Sequence, residues 1–195
     1  LEKFLSGKPI AEQEIGNALL QEVVGYAETS MSRRKYLLHY FGEEFNSETG
    51  LGADMDDNIR NPKKKHEAKN ELKQLLEVIR DSNQKYKAKE VVNVLIGEVN
   101  ALLKSHKSDE QPFFGIGKKF DDKHWMALIR QALVAGFIRK EIEQYGVIKI
   151  TEKGTDYISK PSSFMMTEDH IYEEGDAANI ITPEKGGGAV ADEVL

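Results

Sequence analysis

The side chains able to do chemistry in this 195-residue sequence are lysines, arginines, acids and five histidines, because cysteine is absent. Without thiols there is no disulfide framework, no thiolate nucleophile and no thiolate zinc site. His39, His66, His106, His124 and His170 include no pair at the i, i+4 spacing of a helical ligand motif, so no histidine metal site is expected. Asp54, Asp56 and Asn58 open like a calcium loop. The glycine and glutamate that such a loop needs at its sixth and twelfth positions would fall on Ile59 and Lys65, and the acids read as a solvated turn. Gly115-Ile116-Gly117-Lys118-Lys119 lacks the length and the closing hydroxyl of a phosphate-cradling P-loop. Neither ATP chemistry nor any catalytic residue is expected from this chain.

What remains is cationic. Lysine and arginine neutralise phosphates and release counterions, and they do so without reading a base sequence. The candidates are Lys87 and Lys89 before and within one predicted helix, Lys118 and Lys119 in the glycine-rich loop, and Lys123 and Arg130 on the helix after it. Each has a plainer alternative: a lone lysine is a solvated charge, and Arg130 can pair with an acid and brace its helix. Tyr145 falls at the tip of a predicted hairpin. Its ring there could stack on a terminal base pair, for ~1–3 kcal/mol, or simply cover its own sheet.

The elements that must position these groups are legible from periodicity. Apolar residues Ile15, Ala18, Leu19, Val23 and Val24 recur at helical spacing, and a second helix carries Tyr36, Leu37, Tyr40 and Phe41, capped by Ser30 or Ser32. Residues 46–62 are turn formers, and the boundary between two subdomains is placed there. Beyond it, helices are predicted from about 65 to 82, from 88 to 96, and from Asp121 or Asp122 to about Gly136. On the last of these, Trp125, Leu128, Ile129, Ala132 and Leu133 face the core, while Lys123, Ala127, Arg130 and Val134 form an available face. Phe113 and Phe114 read as core. FIRKEI and VIKIT, joined by residues 143–146, read as a hairpin, and Thr151 as the cap of a final short helix.

The net charge of −6 conceals an uneven distribution. Residues 161–195 hold eight acids and one lysine; removing them from 33 acids and 27 bases leaves 25 and 26, a net of +1 over the first 160 residues. Nucleic-acid binding must therefore rest on local patches. The segment from Pro161 reads as a flexible acidic tail or linker. At 39% hydrophobic, the chain can bury one ordinary core or two small ones. No apolar run approaches the roughly 18 residues of a membrane span, and a cytoplasmic location is expected.

SRRKYLLHYFGEEF, a turn-rich stretch and NPKKK together resemble the zinc-binding subdomain of RecQ helicases. FFGIGKKFDDKHWMALIRQALVAGFI, a hairpin and KITEKG resemble the winged helix that follows it in that family. The resemblance covers about residues 20–160. It implies a mainly α fold with a small β-hairpin: a helical platform over residues 1–62, a winged-helix DNA-binding domain over 63–160, then the tail over 161–195. The family's cysteine positions fall on Ser32 and approximately on Ala53, Asp56 and Ile59, two of which cannot ligate metal. A zinc-free platform and no cofactor in this chain are therefore expected.

By the same resemblance the parent is an ATP-dependent 3'-5' DNA helicase of replication, recombination and repair. Its motor domains use ATP and Mg. This region would be a monomer that grips duplex, forked or structured DNA, without membrane contact. The alternative is a protein–protein interaction module of a diverged paralogue.

Overall fold

The computed structural model describes residues 7–141 and 144–172. Ile142, Glu143, and all but the first twelve residues of the expected tail lie outside the described residues.

The described residues open with two helices, α1 (Ile10–Glu28) and α2 (Arg33–Tyr40). Ser32 caps α2 by accepting from the Lys35 N–H at 3.2 Å, an arrangement that satisfies one orphan donor and is worth about 1 kcal/mol. A short helical turn at Ala53–Met55 and a single turn α3 (Asp57–Arg60) close this platform. The helix that the spacing of Ile15, Leu19 and Val23 marks is formed, and those three residues are exposed along it.

The hydrophobic core lies in the second part of the chain. After β1 (His66–Glu67) come α4 (Lys69–Asp81), α5 (Ala88–Ile96), α6 (Ala101–Ser105) and α7 (Asp122–Val134). The core unites Leu72, Leu75, Leu76 and Ile79 of α4, Val91, Val94 and Leu95 of α5, and Trp125, Leu128 and Ile129 of α7. Full burial of such side chains contributes about 1.5–3 kcal/mol each. Phe113 and Phe114 pack against this cluster, as their sequence context indicates.

β2 (Ile138–Glu141) and β3 (Val147–Ile150) form an antiparallel hairpin in the register Ile138↔Ile150 to Glu141↔Val147. The hairpin is tied to the core through a bridge between Lys87 and Val147 and through the Ile148 N–H, which donates to the Tyr86 carbonyl at 2.9 Å. Thr151 caps α8 (Glu152–Ser159), accepting from the Gly154 N–H at 3.1 Å. The protein is thus mainly helical with small antiparallel strand pairs. Among the described residues no helix is long and apolar enough to cross a membrane.

The segment after α8 departs from expectation. β4 (Met165–Met166) pairs antiparallel with β1, matching His66 to Met166 and Glu67 to Met165. Met166, Thr167 and Asp169 are buried. Up to Tyr172 the expected flexible tail is therefore a packed part of the fold, because Phe164 and Met166 supply apolar anchors that its acidic composition obscures.

Candidate nucleic-acid interface

The glycine-rich loop is held by the end of a helix. Gly97 ends α5 in the left-handed conformation (φ 76°), and the last carbonyls of that helix accept from the loop: Gly115 N–H to Val94 O at 2.7 Å and Gly117 N–H to Leu95 O at 2.8 Å. The Trp125 indole N–H donates to the Gly117 carbonyl at 3.0 Å. Orphan helix carbonyls and a buried indole are satisfied together, which fixes the loop that carries Lys118 and Lys119. The Lys118 arm runs directly over Gly97 and Gly115, where a Cβ would collide with it. Lys119 Nζ lies 5.0 Å from the centroid of the Phe120 ring.

Lys123 stands exposed in the first turn of α7. Asp121 beside it accepts from the His124 N–H at 2.9 Å as the helix cap, so its carboxylate serves the helix. Lys89, Lys118, Lys119 and Lys123 are exposed, and none has an acid partner within 4.0 Å among the described residues. Lys87 differs: its Nζ lies 3.8 Å from Glu14 and 5.9 Å from the ring centroid of Tyr145. Tyr145 is 56% exposed at the hairpin turn and adopts a positive φ of 55°. Two basic groups result. One, with Lys87, Lys89 and Tyr145, flanks the start of α5; the other, with Lys118 and Lys119, flanks its end, about 13 Å away for nine residues of helix.

Arg130 corrects the sequence expectation. Its guanidinium is buried between Glu28 at 2.9 Å and Asp169, which it contacts closely. Burial pushes the Asp169 carboxyl above the ordinary carboxylate range while the neighbouring Arg130 pulls it down. Arg130 is thus a clasp between α1, α7 and the segment after β4. Ala127, on the same face of α7, is also fully buried, while Lys123 at its start stays exposed; beside them Gln131 exchanges hydrogen bonds with the Thr167 backbone at 2.7 and 3.1 Å.

In the platform, Ser32 Oγ donates to Asp56 Oδ2 at 2.8 Å, and Asp56 Oδ1 accepts from the Asn58 N–H at 3.0 Å. Asn58 Nδ2 donates to the carbonyls of Thr29 and Met31, both at 2.7 Å. Asp57 is held below the ordinary carboxylate range by its hydrogen bond from Arg33. Local spacing did not anticipate one further cluster, in which His66, His124 and Glu168 bring their donor atoms together.

The start of α5 and the glycine-rich loop thus present two separate groups of lysines on a mainly helical chain. The RQC domain model matches residues 62–174, more than half of the chain, and the protein belongs to that family. The model described as RecQ zinc-binding matches residues 1–58. The ATP-dependent DNA helicase RecQ of Pasteurella multocida (strain Pm70) is 29% identical over 154 residues, which cover 78% of this chain and 24% of that protein. The protein of the same name from Haemophilus influenzae shows the same identity and coverage. The chain therefore spans about a quarter of the length of these curated relatives.

The match over residues 1–58 overturns the expectation that no cofactor concerns this chain, because the stretch has the pattern of a zinc-binding region. The groups present do not fit the thiolate form of such a centre. There is no cysteine, Ala53 and Ile59 offer no ligand atom, and Ser32, Asp56 and Asn58 are engaged with one another and with backbone groups.

Proposed function

We propose that this chain is the DNA-binding accessory region of a RecQ-type ATP-dependent helicase, gripping duplex or forked DNA by charge and shape while the motor translocates 3'-5'. In this reading, α5, α7 and the β2–β3 hairpin act as a winged helix, working as a monomer in replication, recombination and repair. The observation that carries the proposal is the mounting of Lys118 and Lys119 on the end of α5 by backbone hydrogen bonds, with exposed Lys123 following in the first turn of α7. Cations held by a hydrogen-bonded loop meet phosphates with less ordering entropy than cations on a mobile one. Lys87 and Lys89 extend the contact, and Tyr145 offers a face for an unpaired base.

Fluorescence anisotropy on a forked duplex, measured across a salt series, tests this reading. The double variant Lys118→Ala/Lys119→Ala should bind more weakly and flatten the log–log salt slope by nearly two units, since each B-DNA phosphate contact contributes ~0.9. A variant with unchanged affinity and slope refutes it. A second reading, protein docking, is favoured by the exposed Ile15, Leu19 and Val23 on α1. It predicts instead that Leu19→Asp abolishes capture of the helicase motor while DNA affinity is retained.

A further inference from the structure

We infer that His66, His124 and Glu168 form a binding site for a divalent transition-metal ion of the zinc type. The site differs from the zinc-binding pattern of residues 1–58 in both position and ligand chemistry. One donor atom from each of the three residues lies within 4.8 Å of the others. Glu168 Oε1 stands between the two imidazoles, 2.8 Å from His124 Nδ1 and 3.5 Å from His66 Nε2. Two ligands on a tetrahedral zinc with bonds of about 2.0–2.1 Å lie ~3.3 Å apart. The observed spacings therefore need only small side-chain adjustments to enclose an ion.

The donors are positioned by three different parts of the fold. His66 belongs to β1 and is fixed by its pairing with Met166 of β4. Glu168 follows β4 by two residues. His124 sits in the first turn of α7, stacked on Phe120 at 4.0 Å and set edge-on to Trp125 at 5.6 Å. Its side chain is 6% exposed, so the ordering of this ligand is already accomplished in the fold. The other two side chains are 41% and 48% exposed, which gives an ion access and leaves room for water as a fourth ligand.

A plain histidine–glutamate hydrogen bond accounts for only one of the imidazoles. The second is stacked against the first at 5.9 Å and 29°, and both aim at the same carboxylate oxygen. The other ring nitrogen of His124 has no partner among the described residues, so the polar anchoring of that ring is entirely on the Glu168 side. Two imidazole nitrogens and one carboxylate oxygen suit zinc, whereas calcium and magnesium require more oxygen ligands. Ligation would staple β1 and the returning segment to α7.

The test uses the untagged full chain, stripped with chelator, then titrated with Zn2+ by calorimetry and with Co2+ by visible absorption. One ion per chain and the d–d bands of low-coordinate Co2+ are expected. His66→Gln and Glu168→Gln should each weaken binding about tenfold or more, while His39→Gln binds as the parent does. Circular dichroism of the metal-free variants confirms that these half-exposed substitutions leave the fold intact. No stoichiometric ion on the parent chain, or an affinity unchanged in both variants, overturns the site. DNA affinity is a separate readout, so either conclusion can fail without the other.

Discussion

Lys123 and Arg130 lie two helical turns apart on α7, yet one is an exposed charge without an acid partner among the described residues and the other a buried clasp. The partners of Arg130, Glu28 and Asp169, are 102 and 39 residues away in sequence, so no local pattern assigns them. Local spacing places a side chain on a helix face but does not say what covers that face. Removing one member of a buried ion pair strands the other, at a cost of about 3–5 kcal/mol. Arg130→Gln should therefore lower the urea midpoint strongly and leave the salt slope of DNA binding unchanged. Lys118→Ala/Lys119→Ala should show the converse, with stability within about 0.5 kcal/mol of the parent. Urea denaturation and anisotropy on the same two proteins separate the roles. A flattened salt slope in Arg130→Gln would return that residue to the DNA-binding set.

The glycine-rich loop and α5 operate as one unit. Gly117 carries no side chain because a Cβ there would stand 2.7 Å from the Trp125 ring and 3.1 Å from Leu95 Cβ, and the indole is fully buried with nowhere to move. Gly117→Ala should destabilise the protein by about 1–3 kcal/mol through overpacking. It should also weaken DNA binding, because the backbone carrying Lys118 and Lys119 must shift. Unaltered DNA affinity in a measurably destabilised Gly117→Ala protein would show that the mounting of these lysines is immaterial. At this scale the sequence was most informative where structure is local: Ser32, Asp121 and Thr151 cap the helices they precede, and the hairpin follows its alternating runs. An apolar stripe at helical spacing signals a surface awaiting cover, and Ile15, Leu19 and Val23 find none among the described residues.

Across the whole molecule, the platform and the core are joined by the ion pairs of Arg130 with Glu28 and Lys87 with Glu14 and, most extensively, by the segment after α8. Ser30 donates to the Thr167 hydroxyl at 2.7 Å, the His170 N–H donates to the Glu28 carbonyl at 2.6 Å, and Tyr172 donates to the Ala27 carbonyl at 3.1 Å. His170 Nε2 meets Asn58 Oδ1 at 2.7 Å. Because Asn58 spends its amide hydrogens on two backbone carbonyls, the imidazole must be the donor. On the core side, the Ala68 N–H donates to the Phe164 carbonyl at 2.8 Å, and Met166 is fully buried. Two of the eight acids that suggested a solvated tail have partners in the fold: Glu168 and Asp169 are the counterparts of His124 and Arg130. Deleting residues 162–195 should therefore uncouple the two parts, lowering the melting temperature and splitting a single cooperative transition into two. Deleting only residues 173–195 should preserve the parent transition, since every contact just named lies before residue 173. Thermal circular dichroism followed at 222 nm and by Trp125 fluorescence distinguishes these outcomes, because the only tryptophan reports on the core alone. If the longer deletion melts as one transition at the parent temperature, the platform is held by its own contacts with α7 and the segment after α8 is no strap.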